Sequence, residues 1–74
     1  MYLCIDIYDS GIFLRTRIES EDLWQKSLVG SWQYMLRAGE WNIYRSTSNH
    51  DIMAKVRTAT ENEVKVAREL HEII

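Results

Sequence analysis

The sequence predicts an α+β fold of order ββα-ββα, a four-stranded antiparallel sheet with two helices packed on one face. Three observations predict it. Apolar and polar residues alternate over residues 2–8 and 12–18 on either side of a short Ser-Gly turn, and a period of two marks a half-buried strand. After Ser20 and again after Thr60 the apolar spacing lengthens to that of a helix. No proline and no Gly/Ser-rich stretch interrupts the chain, so the elements follow one another through short turns.

The first strand, "YLCIDIY" (2–8), sends Leu3, Ile5 and Ile7 to the core and Tyr2, Cys4, Asp6 and Tyr8 outward. Across "DSG" the second strand (12–18) alternates again, with Ile12, Leu14, Thr16 and Ile18 inward. Closing the hairpin at Ser10-Gly11 sets Tyr8 opposite Phe13, Asp6 opposite Arg15 and Cys4 opposite Arg17; Asp6 and Arg15 then form a cross-strand ion pair. Ser20 caps a helix over 20–38, with Glu21 and Asp22 at its positive end, Arg37 in its last turn and Gly39 placed to end it. Projected at roughly 100° per residue, Trp24, Leu28, Val29, Trp32, Met35 and Leu36 share one arc, and Leu23, Ser27, Gly30 and Tyr34 fall opposite.

A second hairpin follows, "WNIYRS" (41–46) and "IMAKVRT" (52–58) across "TSNHD", with Ile43, Ile52, Ala54 and Val56 inward. The second helix opens on the capping box Thr60-Glu61-Asn62-Glu63, in which threonine and glutamate side chains satisfy each other's backbone donors. It is expected to run to the C-terminus with Val66, Ala67, Leu70, Ile73 and Ile74 on one face. The chain is thus one domain (1–74) of two hairpin-helix units, 2–38 and 41–74. An offset of forty superposes Arg15 on Lys55, Arg17 on Arg57 and Ser20 on Thr60. Two units that each need a polar outer strand face and a helix cap account for this without duplication.

At 74 residues the chain is near the lower limit at which a hydrophobic core alone offsets chain entropy. It is nevertheless 46% hydrophobic, with three Trp and four Tyr, too apolar for a disordered segment. Nine basic and eleven acidic residues leave a formal charge of -2, so no overall basic field gathers nucleic acid. The lone Cys4 excludes an internal disulfide, and with no apolar leader at the N-terminus the expected compartment is the cytoplasm. Apolar runs of only a few residues exclude a transmembrane helix.

Signals for an enzyme are poor. His50 lies in a turn and His71 near the end of a helix, and neither has a serine or cysteine nucleophile arranged with it by any motif. Cys4, His50 and His71 stand singly, which gives no metal site, and the three isolated glycines offer no phosphate cradle. No cofactor is expected. Cys4 beside Arg17 would have a lowered thiol pKa, though an unreactive, half-buried cysteine is the simpler expectation.

What remains is surface. With both helices on the inner face, the outer face displays Tyr2, Tyr8, Phe13 and Tyr44 among Arg15, Arg17, Lys55 and Arg57. The candidate partner-binding residues are accordingly Tyr2, Phe13, Arg15, Arg17, Tyr44, Lys55 and Arg57. Aromatics interleaved with cations suit a protein surface that is acidic and partly apolar, or a single strand of RNA or DNA. A second candidate surface is the helix stripe Leu23, Gly30 and Tyr34, where glycine permits close backbone approach. In length, lack of proline and aromatic content the chain resembles the compact proteins of phages and mobile elements that bind one host protein; the likeness is of style and rests on no motif. It implies a non-enzymatic protein-binding module, for example an inhibitor of a host factor of the anti-defence or anti-CRISPR type. The alternative is a small RNA- or single-stranded-DNA-binding protein. No membrane partner is expected, and exposed sheet edges make a homodimer as reasonable an expectation as a monomer.

Overall fold

The computed structural model describes residues 1–73. Its elements in chain order are β1 (Tyr2–Asp9), β2 (Ile12–Ser20), α1 (Glu21–Ser31), β3 (Trp32–Ala38), β4 (Trp41–Ser46), β5 (Ile52–Thr58) and α2 (Glu61–Glu69). The fold is α+β with two helices, but the antiparallel sheet has five strands, ordered β2-β1-β5-β4-β3. The order is therefore ββα-βββα rather than ββα-ββα.

The extra strand comes out of the helix expected over 20–38. Ser20 does cap α1, its Oγ accepting from Leu23 N at 3.3 Å. The helical backbone nevertheless ends before Val29 (φ -70, ψ 108) and Gly30 (φ 78). Gly30 takes the left-handed conformation that commonly ends a helix and that a side chain would resist. Beyond it Trp32 and Tyr34 share one side of β3, a β-favouring aromatic alternation. Gly39 ends no helix. With φ 63 it opens the two-residue Gly39-Glu40 turn between β3 and β4, which begins Ala38↔Trp41. The joint after α1 is pinned from across the sheet, because Thr47 Oγ1 donates to Gly30 O at 2.7 Å and Thr47 N to Ser31 O at 3.1 Å.

Residues paired across neighbouring strands point to the same face, so the pairing assigns every side chain. Leu3, Ile5 and Ile7 pair in turn with Thr58, Val56 and Ala54, and all but Thr58 belong to the buried cluster that includes Trp24 of α1. Leu28, Trp32, Tyr44 and Ile52 pack around it. The remaining members of the predicted helical arc do not, and Val29 is 84% exposed. On the opposite face lie Tyr2, Cys4 and Arg57, and this is where α2 sits. Its Glu63 grips Arg57, and its Arg68 lies over the Tyr2 ring at 5.4 Å. The helices thus cover opposite faces of the sheet, not one, and the two faces are named here after them.

Two bulges rewrite the expected registers. Tyr8 does oppose Phe13, but Leu14 is an extra residue, and beyond it Ile7 pairs with Arg15, Asp6 with Thr16, Ile5 with Arg17 and Cys4 with Ile18. One inserted residue turns every later side chain to the other face. Thr16 and Ile18 therefore join the α2 face, and Arg15 and Arg17 the α1 face. Asp6 accepts from Thr16 Oγ1 at 2.7 Å instead of pairing with Arg15. Met35 is the second bulge, between Tyr34↔Tyr44 and Leu36↔Ile43. On β4, Asn42 pairs with Val56 and Tyr44 with Ala54, so Tyr44 points to the core and Ile43 away from it, the reverse of the expectation. The capping box of α2 is present as predicted, but the helix ends at Glu69. Val66 and Leu70 are exposed, and Ile74 lies outside the described residues.

Candidate functional site

The α2 face holds the most densely interleaved aromatic and cationic side chains. Tyr8 and Phe13 meet edge to face at 5.6 Å across the first hairpin, and Lys55 Nζ lies 4.9 Å over the Tyr8 ring. Such contacts use the negative face of the ring and bury the lysine stem along it. Toward β4, Trp41, Ile43 and Arg45 share the face, with Met53 of β5 and Leu36 of β3 beside them. Phe13 and Leu36, on opposite sides of this expanse, are 52% and 51% exposed. The result is a broad apolar sheet surface with α2 lying toward its β1–β2 side.

Arg57 is the best-anchored cation. Its Nη1 and Nη2 donate to Glu63 Oε1 and Oε2, both at 2.7 Å, and its guanidinium lies 4.9 Å from the Trp41 ring centre. Glu63 Oε1 also accepts from Thr60 N at 2.9 Å. The Arg57 hydrogen bonds, then those from Thr60, hold the Glu63 carboxyl down to about 2, and the same pairing raises the Arg57 pKa. Arg57 is therefore compensated, and it ties α2 to the sheet. Cys4, adjacent to it on β1, is buried and free. Burial pushes its thiol up to about 11, and the neighbouring Arg57 offsets only part of this. A thiol so held is not a nucleophile at neutral pH.

Of the residues singled out from sequence, Tyr2, Phe13, Lys55 and Arg57 lie together on the α2 face, along with Tyr8. Arg15, Arg17 and Tyr44 lie on the other. Tyr44 is packed between Trp24 (5.2 Å) and Tyr34 (5.5 Å), both edge to face. Arg17 reaches Glu19 only at 3.8 Å. Arg15 is exposed, with no carboxylate within 4.0 Å among the described residues. The second candidate stripe is dispersed: Leu23 is on α1, Gly30 in the joint and Tyr34 on β3. Trp41, Ile43, Arg45, Met53 and Leu36 went unrecognised in the sequence as parts of one surface. Their signal was hidden by the reversed parity of β4 and by the reading of β3 as helix.

No family model, curated protein or solved structure matches this chain. Among the described residues no helix is long and apolar enough to cross a membrane, and no cluster of three His, Cys, Asp or Glu side chains is positioned to hold a metal ion. His50 is an exposed loop residue, while His71, at the end of α2 with φ 55, lines an open cleft between that helix and β2.

Proposed function

We propose that this chain is a non-enzymatic protein-binding module that uses the open part of the α2 face, of the kind a phage or mobile element directs against a host factor. One observation carries the reading: Phe13, Leu36, Ile43 and Met53 share one face of the sheet with Lys55 and Arg45 among them. Phe13 and Leu36 are half exposed and Ile43 and Met53 partly so, and partly exposed apolar side chains with a few interspersed charges are the composition of an interface centre. A partner with an apolar patch and one or two carboxylates fits it.

A single strand of nucleic acid is the second reading, favoured by the juxtaposition of Lys55 with Tyr8 and of Arg57 with Trp41. Charge counts against it. Glu63 neutralises Arg57 and Asp6 lies on the same face, which leaves Lys55 and Arg45 on the open strands to attract phosphate, with Arg68 of α2 off to one side over Tyr2. Pull-down with the tagged protein, with and without nuclease, separates the two readings when paired with the variant Leu36→Glu/Lys55→Glu. A stoichiometric protein that survives nuclease and is lost with the folded variant supports the module. Loss of all bound material on nuclease treatment, with binding that weakens steeply as salt rises, supports the nucleic-acid reading and overturns the first.

A further inference from the structure

We propose that β2 and α2 together form a docking groove for an extended, alternating acidic and apolar peptide segment, which adds to the sheet as a sixth strand at the β2 edge. The groove is a different surface from the open sheet face and stands whether or not that face binds.

Its floor and wall are already in place. Among the described residues β2 is an outer strand with β1 as its one neighbour, so the backbone donors and acceptors along its far side are available to another strand. α2 packs against β2 yet leaves an open cleft of about 830 Å³ between them, with Ile18 on the strand side and Val66 and Ala67 on the helix side at its apolar part, and with Arg15, Arg17 and Glu72 at its charged margin. Val66 is 43% exposed there, although Ala67 beside it on the helix is buried. The nine residues of α2 span about 13 Å at roughly 1.5 Å each, the length of about four residues of strand.

The chemistry of the occupant follows from the pleat. Side chains of an added strand alternate between faces. Those on the α2 face enter the cleft against Ile18, Val66 and Ala67 and are best apolar. Those on the α1 face lie beside Arg15 and Arg17, of which, among the described residues, Arg15 has no carboxylate within 4.0 Å and Arg17 only a distant one, and are best acidic. The same two arginines disfavour a second copy of this chain. An antiparallel β2 pair centred on Thr16 would set Arg15 opposite the partner's Arg17 twice over, and like charges directly opposite are destabilising.

The probe is a capped, fluorescein-labelled heptapeptide alternating valine with glutamate, compared with one alternating valine with lysine. Anisotropy measures binding, and backbone amide shifts in labelled protein locate it. The glutamate peptide is expected to saturate at least tenfold below the lysine peptide, with shifts at Arg15 to Ile18 and at Val66, and Arg15→Glu should reverse the order. Methylating the alternate peptide amides that face β2 should abolish binding while leaving the other set tolerated. The proposal is overturned if the glutamate peptide shows no saturation by about 1 mM, if both peptides bind equally, if the shifts fall on β3, or if the protein proves to be a dimer through β2.

Discussion

Replacing Glu63 by glutamine isolates what the Arg57–Glu63 fork contributes, because glutamine keeps the length and one acceptor but not the charge. Glu63 Oε1 and Oε2 accept at 2.7 Å from Arg57, and Thr60 N donates to Oε1 at 2.9 Å. A carboxyl lowered from 4.5 to about 2 corresponds, at about 1.4 kcal/mol per unit, to no more than roughly 3 kcal/mol of stability at neutral pH. The side chains retain 19% and 28% of their exposure, so water screens part of this and about 1 to 2 kcal/mol is expected. The sign is fixed by the direction of the shift. A depressed carboxyl stabilises fully above its unfolded pKa and loses that contribution as pH falls through its folded one, so the loss lies between about pH 4.5 and 2. Urea melts at pH 7 and pH 2 should show Glu63→Gln destabilised at the first and close to wild type at the second, where most of the carboxyl's contribution is gone. A variant equal to wild type at pH 7, or equally impaired at both pH values, would refute the argument.

Two further outcomes follow from the packing. Trp24→Ala should cost about 3 to 5 kcal/mol in denaturant melts, since the side chain is 2% exposed and contacts Trp32 and Tyr44, a large share of a domain stability of order 4 to 11 kcal/mol. Cys4 should resist a thiol reagent at neutral pH in the native protein and react at once in 6 M urea, and rapid labelling of the native state would contradict its burial beneath α2.

What the sequence made legible was local. The Ser10-Gly11 turn, the Ser20 cap, the Thr60 capping box and both strands of the β4–β5 pair are each specified by residues within a few positions of one another. The end of α1 was not legible, because Trp32, Met35 and Leu36 fit a helical face as well as a bulged strand, and two glycines, 30 and 39, competed to end the helix. The candidate surface suffered more. Strand parity reports a face only while the ladder is regular, and the extra residues Leu14 and Met35 leave no trace in the alternation. Arg15 and Arg17 were thereby placed on the face opposite their own. Reversal of Arg57 is a poor probe of binding for a different reason, since it would set a second carboxylate against Glu63 and loosen α2.

The pairing of β1 with β5 has a consequence for how the chain is made. Trp24 rests on Leu3, Ile5 and Ile7 from one end of the sequence and on Ala54 and Val56 from the other, so neither the first hairpin nor the later three strands can bury it alone. Contacts spanning some fifty residues are slow to form because the loop between them must close first. During synthesis the β1–β2 hairpin and α1 therefore wait, with an uncovered tryptophan, until β5 has left the ribosome. Folding should then proceed as a single late event, and fragments that stop short of Ile52 should be prey to proteases and to holdase chaperones rather than partly folded.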